Sequence, residues 1–236
     1  VIGGGDTNTA SAARAVIAGG YSNVNSGYSS AVGGGMYNVA ASSYSVIAGG
    51  NSNNLTSMTT GGVIGGGWHN TAASSYGVIA GGSVNYIATG SEASFIGGGW
   101  TNAASAPYAV VSGGHENANS GYASAVGGGG LNSAASRYAV VSGGHENTAV
   151  ANSSCVGGGQ GNFVDSSYGV VGGGLSNVNS GVSGTVGGGR ENVASSDYGV
   201  IAGGRHNKIS SIAACIAGGW YNTATADYTV VSGGQF

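Results

Sequence analysis

Residues 138–147 read Tyr138-Ala139-Val140-Val141-Ser142-Gly143-Gly144-His145-Glu146-Asn147. The paired valines favour extended backbone because branching at Cβ restricts χ1 and suits a pleated surface. The paired glycines that follow permit a sharp corner, so the segment reads as a short strand that ends abruptly. The same order returns along the whole chain. Asparagines preceded by Gly-Gly-x-x stand at Asn8, Asn23, Asn38, Asn53, Asn70, Asn85, Asn102, Asn117, Asn132, Asn147, Asn162, Asn177, Asn192, Asn207 and Asn222. The step is fifteen positions, lengthened to seventeen from Asn53 to Asn70 and from Asn85 to Asn102. Two residues before each glycine pair, from Ile2 to Val231, stands a Val or an Ile at every repeat.

Fifteen residues are too few for a strand, a crossover helix and a second strand. They suit one coil of a solenoid in which each coil bonds to the next about 4.8 Å away. The predicted fold class is therefore all-β: a parallel β-solenoid, or β-roll, of about sixteen 15-residue coils. It is read as a single repeat domain over residues 1–236, with two-residue insertions near 54–62 and 86–94. A second rhythm, of twice the period, overlies the first. Six residues after alternate asparagines come Arg14 and then Tyr44, Tyr76, Tyr108, Tyr138, Tyr168, Tyr198 and Tyr228, whereas intervening coils carry Ser29, Ala123, Ser153, Ser183 or Ala213. A rival reading is a 30-residue coil with two unlike sides; the 15-residue coil is favoured. Val1 and Phe236 fall in mid-repeat without a polar capping unit, so both ends are expected to be uncapped and open to stacking.

Composition narrows the function classes. Glycine supplies 52 of 236 residues and proline one, which excludes a collagen repeat and long helices. Only 6% of residues are charged, against 41% apolar, and the net charge is −3. The five Lys and Arg residues form no stripe along a phosphate backbone, so no nucleic-acid partner is expected. No uninterrupted apolar run approaches the length a membrane-spanning helix requires, so no membrane insertion by a helix is expected. Period-2 alternation puts Val141 on one face and Val140 on the other, and both are apolar, which implies burial on both faces. One face fills the narrow coil. The other needs a cover, and a second copy of the chain is the natural one; Tyr44, Tyr76, Tyr108, Tyr138, Tyr168, Tyr198 and Tyr228 mark the candidate self-association face.

Segments such as Ser43-Tyr44-Ser45-Val46-Ile47-Ala48-Gly49, followed by Asn53, resemble the head repeats of trimeric autotransporter adhesins. The repeat is also similar to the Gly-Gly-x-x-Asn repeats of bacterial and phage fibre proteins. The resemblance spans essentially the whole chain. It implies left-handed coils, assembly as a trimer, and a surface or fibre role rather than an activity. The chain departs from the adhesin pattern in doubling the glycine, and no heptad stalk, neck or membrane anchor is expected within residues 1–236.

The side chains at the corners supply the site candidates. The asparagine file reads as a structural ladder, since Asn tolerates left-handed backbone, bonds its own turn and stacks amide on amide. Trp68, Trp100 and Trp220 share the second position before Asn and are candidate sugar platforms or lateral contacts. His115-Glu116 and His145-Glu146 recur at twice the repeat step, with His69 and His206 beside that position. Two coils separate the pairs by about 9.5 Å, beyond the reach of one metal with ~2.1 Å bonds, so no metal or cofactor is expected. Cys155 and Cys215 stand four coils apart, roughly 19 Å, too far for a disulfide, and are expected to be small buried apolar residues. Asn54-Leu55-Thr56 and Asn152-Ser153-Ser154 match the glycosylation pattern, making Asn54, within an inserted corner, and Asn152 candidate acceptors. No coil offers two acids facing one substrate, so no enzyme is expected.

Together these residues point to an extracellular or cell-surface structural or adhesive fibre segment. Its expected partners are copies of itself, as a trimer or an end-to-end filament, together with glycans or a host surface. A carbohydrate-binding module using the tryptophan corners is the alternative. An ice-binding solenoid would need a regular threonine array, and the residues after Asn, Thr9, Val24, Val39, Asn54, Thr71, Ile87 and Ala103, do not form one.

Overall fold

The computed structural model describes residues 1–57 and 59–235. Met58, inside the first predicted insertion, and Phe236, at the predicted domain end, lie outside the described residues. The chain is all-β, a parallel β-solenoid in which every strand is two residues long and pairs with its counterpart in an adjacent coil. It divides into two units, Val1–Asn119 and Ser120–Phe236.

Within Val1–Asn119, the strands that follow each asparagine, from Thr9–Ala10 to Ala118–Asn119, form one parallel sheet. The strands that end on the constant Val or Ile, from Val16–Ile17 to Val110–Val111, form the other. A third ladder of single bridges runs Asp6, Tyr21, Met36, Asn51, Trp68, Ser83, Trp100, His115. Within Ser120–Phe236 the same three ladders recur, with strands from Ser133–Ala134 to Thr223–Ala224, strands from Ala125–Val126 to Val230–Val231, and bridges from Gly130 to Gln235. Partners such as Val140↔Cys155 and Thr148↔Phe163 stand one repeat apart, so the 15-residue coil is the one observed and the 30-residue coil is excluded.

The two lengthened steps keep this register. Val39 pairs with Asn54 at the usual offset, but Ser43 pairs with Thr60, so the first pair of extra residues lies between Leu55 and Thr60. The second lies between Ile87 and Ala93, since Ala73 N donates to Ile87 O at the usual offset while Ala93 N donates to Ser75 O two residues beyond it. Each insertion is confined to one corner because the strands on either side stay hydrogen-bonded to their neighbours.

Packing inside the coil explains the constant Val or Ile. From Ile17 to Ile216 this row is completely or almost completely buried. Each such side chain removed from water contributes roughly 1.5–3 kcal/mol. The coil is too narrow for three large rows. Facing the constant row stands mostly alanine, such as Ala40, Ala72, Ala104, Ala149 and Ala194, all fully buried. Where this second row enlarges, a glycine compensates. A Cβ on Gly62 would lie 2.8 Å from Leu55 Cδ2, one on Gly169 2.8 Å from Val164 Cγ1, and one on Gly199 3.1 Å from Ile209 Cγ2. Large thus meets small inside the coil, as close packing requires.

Candidate functional site

The corner before each asparagine is built from the backbone outward. Gly174 takes φ +96°, and a Cβ there would sit 2.1 Å from the Gly189 carbonyl oxygen of the next coil, so only glycine fits. The residue just before each asparagine is left-handed as well, for instance Glu146 at 58° and Ser176 at 55°. The sequence places that geometry on the asparagine itself. Among the described residues none of the ladder asparagines adopts it; the bend falls on the residue before, and the asparagine is held by its side chain. Asn177 shows the pattern: its N–H donates to Asn162 Oδ1 at 3.0 Å, while Nδ2 reaches Asn162 Oδ1, Gly173 O and Gly189 O at 3.1, 2.9 and 2.9 Å.

Asn177 Oδ1 in turn accepts from Asn192. Asn8 is half-buried; Asn23, Asn38, Asn53, Asn70, Asn85, Asn102, Asn117, Asn132, Asn147, Asn162, Asn177, Asn192, Asn207 and Asn222 are buried. The ladder crosses both insertions intact, with Asn70 N–H on Asn53 Oδ1 and Asn102 N–H on Asn85 Oδ1, each at 3.0 Å. Amides bonded in this way have their capacity used internally and none to offer a ligand. A second set of buried asparagines escaped the sequence reading. Asn25 and Asn179 point into the coil, and their Oδ1 atoms accept from Gly27 N and Gly181 N at 3.4 and 3.2 Å, closing a turn. Ser30 Oγ also donates to Asn25 Oδ1. The available signal was the Asn-Ser-Gly triplet at one phase: Asn25-Ser26-Gly27, Asn119-Ser120-Gly121 and Asn179-Ser180-Gly181.

The opposite corner carries the tyrosines. Tyr44, Tyr76, Tyr108, Tyr138, Tyr168, Tyr198 and Tyr228 are left-handed, between 55° and 59°, and between 50% and 77% exposed. Their backbone N–H groups hold the turn; Tyr168 donates to Asn152 O at 3.0 Å and Tyr198 to Val182 O at 2.9 Å. Beside them runs the outward row of the strand. In Ser120–Phe236 it pairs in the order Val140, Cys155, Val170, Thr185, Val200, Cys215, Val230. In Val1–Asn119 the corresponding row is Val16, Ala31, Val46, Val63, Val78, Phe95, Val110. These side chains are half-buried or exposed. The two cysteines, expected to be buried, belong to this outward row and are only half-buried, because period-2 alternation turns the residue before the constant Val or Ile away from the core. Both thiols are free, and burial pushes the Cys155 thiol above its ordinary pKa.

The single-bridge ladder carries the tryptophans. Trp68 and Trp100 are each 51% exposed and lie two coils apart with Ser83 between them. Trp220 sits between Arg205 and Gln235, its ring 5.2 Å from that of Tyr221. Just before it, Glu191 Oε1 accepts from Arg190 Nε at 3.0 Å and Glu191 Oε2 lies 2.6 Å from His206 Nε2. The hydrogen bond from Arg190, reinforced by the charges of His206, Arg190 and Arg205, holds the Glu191 carboxyl below the usual range. His145 Nδ1 lies 3.6 Å from Glu146 Oε2. Among the described residues no three His, Cys, Asp or Glu side chains are grouped to hold a metal, and no pocket is present. Of the glycosylation candidates, Asn152 is exposed and accepts from Ser136 Oγ at 2.9 Å. Asn54 lies on a strand paired with Val39 and Thr71, ahead of the extra residues and not within them.

No family model matches the chain, and no curated protein is similar to it in sequence. The site therefore rests on its own geometry.

Proposed function

We propose that the chain is a structural or adhesive fibre segment at or outside the cell surface, and that copies of it associate along the outward Val and Tyr rows. One observation carries this reading: the outward row is continuous and, apart from Thr185, apolar. In Ser120–Phe236 alone, the seven paired positions from Val140 to Val230 make, at the strand spacing, a strip about 29 Å long, flanked by half-exposed tyrosines. Contiguous apolar surface of this kind marks interaction sites on soluble proteins. The tyrosines add rigid area with a polar tip, which suits an interface. The resemblance to autotransporter adhesin heads supports the same reading, with trimerisation and a cell-surface location as its content. On this reading the chain works mechanically, by length and presentation, and needs no catalytic residue.

Sedimentation velocity across a wide concentration range tests it. The wild-type chain is expected to sediment as an oligomer, and Val170→Lys with Val200→Lys as a folded monomer, because both positions face outward and leave the core row intact. A monomeric wild-type chain at every concentration would reject the reading.

A second reading rests on Trp68 and Trp100, exposed to the same degree and facing outward two coils apart: a neutral glycan stacked on both rings. Unchanged glycan-array binding after Trp68→Ala with Trp100→Ala would reject it.

A further inference from the structure

Charge is scarce in this chain and unevenly placed: of five Lys and Arg residues, three lie within residues 190–208, namely Arg190, Arg205 and Lys208. Arg190 and Arg205 are direct partners in the single-bridge ladder, one coil spacing of about 4.8 Å apart. Like charges placed directly opposite destabilise a strand pair. Glu191 offsets part of this charge through Arg190 and His206. Arg205 makes no ion pair among the described residues, and its guanidinium carbon lies 5.8 Å from the centre of the Trp220 ring.

An aromatic surface adjoins the arginine pair on the next coil. Trp220 is 38% and Tyr221 49% exposed. His206 stacks on Tyr221 with centroids 4.6 Å apart and planes 8° apart. The Glu191–His206–Tyr221 chain of contacts therefore fixes one wall of the patch before any ligand arrives, which lowers the entropy lost on binding. The other two arginines are placed differently. Arg14 lies over Tyr28, Arg137 over Tyr122 and Tyr138, and neither faces a second cation across its ladder.

We propose that Arg190, Arg205, Trp220 and Tyr221 bind an anionic glycan. The two guanidinium groups take a sulfate or carboxylate, for which arginine supplies paired donors. The Trp220–Tyr221 surface takes the apolar face of the adjoining sugar ring. A nucleic-acid strand presents a phosphate at every residue and calls for cations in file, whereas here the bridge-ladder cations occupy two coils only. The site is independent of the outward Val row and of self-association.

Isothermal titration of the full chain tests it, with five probes: a heparin-derived oligosaccharide, an oligogalacturonate, dextran, a single-stranded oligonucleotide and inorganic sulfate. At least one of the two anionic sugars is expected to bind at least about tenfold more tightly than dextran or the oligonucleotide, and the preferred one identifies the anion as sulfate or carboxylate. Arg190→Gln with Arg205→Gln is expected to weaken that binding by about tenfold or more and to flatten its salt dependence. Trp220→Ala is expected to weaken the sugar by about tenfold while leaving inorganic sulfate unchanged. Tyr86→Ala, at an exposed position of the other unit that belongs to neither glycan reading, is expected to bind as the wild type does. All these side chains point outward, and matched denaturation midpoints verify that the variants fold. No binding of either anionic sugar, equal binding of the oligonucleotide, or an unaffected double-arginine variant would overturn the proposal.

Discussion

Each coil turns at an asparagine corner and at a tyrosine corner, and the two use similar backbone. Both place a left-handed residue at the bend, such as Ser176 and Tyr168, whose N–H reaches the preceding coil. They differ in what surrounds that residue. At the asparagine corner a buried amide bonds both neighbouring coils, and its identity is constant. At the tyrosine corner the side-chain bonds change from coil to coil: Ser154 Oγ donates locally to Ala151 O at 2.6 Å, whereas Asp197 Oδ1 accepts from Val182 N of the preceding coil at 2.9 Å. The left-handed position there holds Tyr, Ser, Ala, Arg or Gly. Coil-to-coil register therefore resides in the first corner, while the second is free to carry surface chemistry. A feature that returns in every coil belongs to the first, and one that returns in alternate coils to the second.

The contrast is broken most severely at Gly174. Adding a Cβ 2.1 Å from a backbone oxygen forces neighbouring coils apart, so Gly174→Ala is expected to cost roughly 4 kcal/mol or more in denaturant unfolding. Asn177→Ala comes next. It leaves the buried Asn192 N–H and the Gly173 carbonyl without a partner and removes one of the two donors to Gly189 O, which keeps Leu175 N–H, an expected loss of about 3–5 kcal/mol. A wild-type midpoint for Asn177→Ala would mean the amides are ornamental.

Val84 probes the contrast from the other direction. A β-branched residue at φ 59° is strained, and its N–H already bonds Trp68 O at 2.9 Å. Val84→Asn keeps that bond and relieves the strain, so it is expected to raise stability by about 0.5–1 kcal/mol. Tyr168→Ser introduces what other coils already carry at this position, and is expected to change monomer stability by less than about 0.5 kcal/mol. Its effect belongs to association, read by sedimentation. The smallest effect concerns Glu191. Its folded-state pKa is depressed, so the contribution is present above the ordinary glutamate value of about 4.3 and fades as pH falls through the folded value. Glu191→Gln is expected to lower the thermal midpoint slightly at neutral pH and not at all in acid. A gap that does not change with pH would separate the stability effect from ionisation.

Much of this architecture was legible in the residues. The regular spacing of Asn and of Val or Ile specifies the coil, because a solenoid position repeats only if its neighbours above and below are equivalent. Alternation told Val141 from Val140. The hidden parts are those where one residue answers another across the coil. Gly62 is small because Leu55 is large, and Gly169 because Val164 is large, a relation visible only once both occupy the same cross-section. The left-handed residue before each asparagine was illegible for a related reason. Thr, Ser, Tyr, His, Val, Leu and Glu all occupy it, and none shows that preference in isolation. The Arg190–Arg205 apposition is implicit in the repeat step, but its meaning depends on Trp220 and Tyr221 lying alongside.

Coverage of the outward Val and Tyr rows by other copies of the chain is the point on which the functional reading turns. Hydroxyl-radical footprinting at concentrations where the chain associates addresses it, with Trp68 and Trp100 as internal references of comparable exposure. Tyr138, Tyr168 and Tyr198 are expected to be shielded on association while Trp68 and Trp100 remain fully reactive; tyrosines that react as fast in the assembled chain as in the dilute one would refute self-association along these rows.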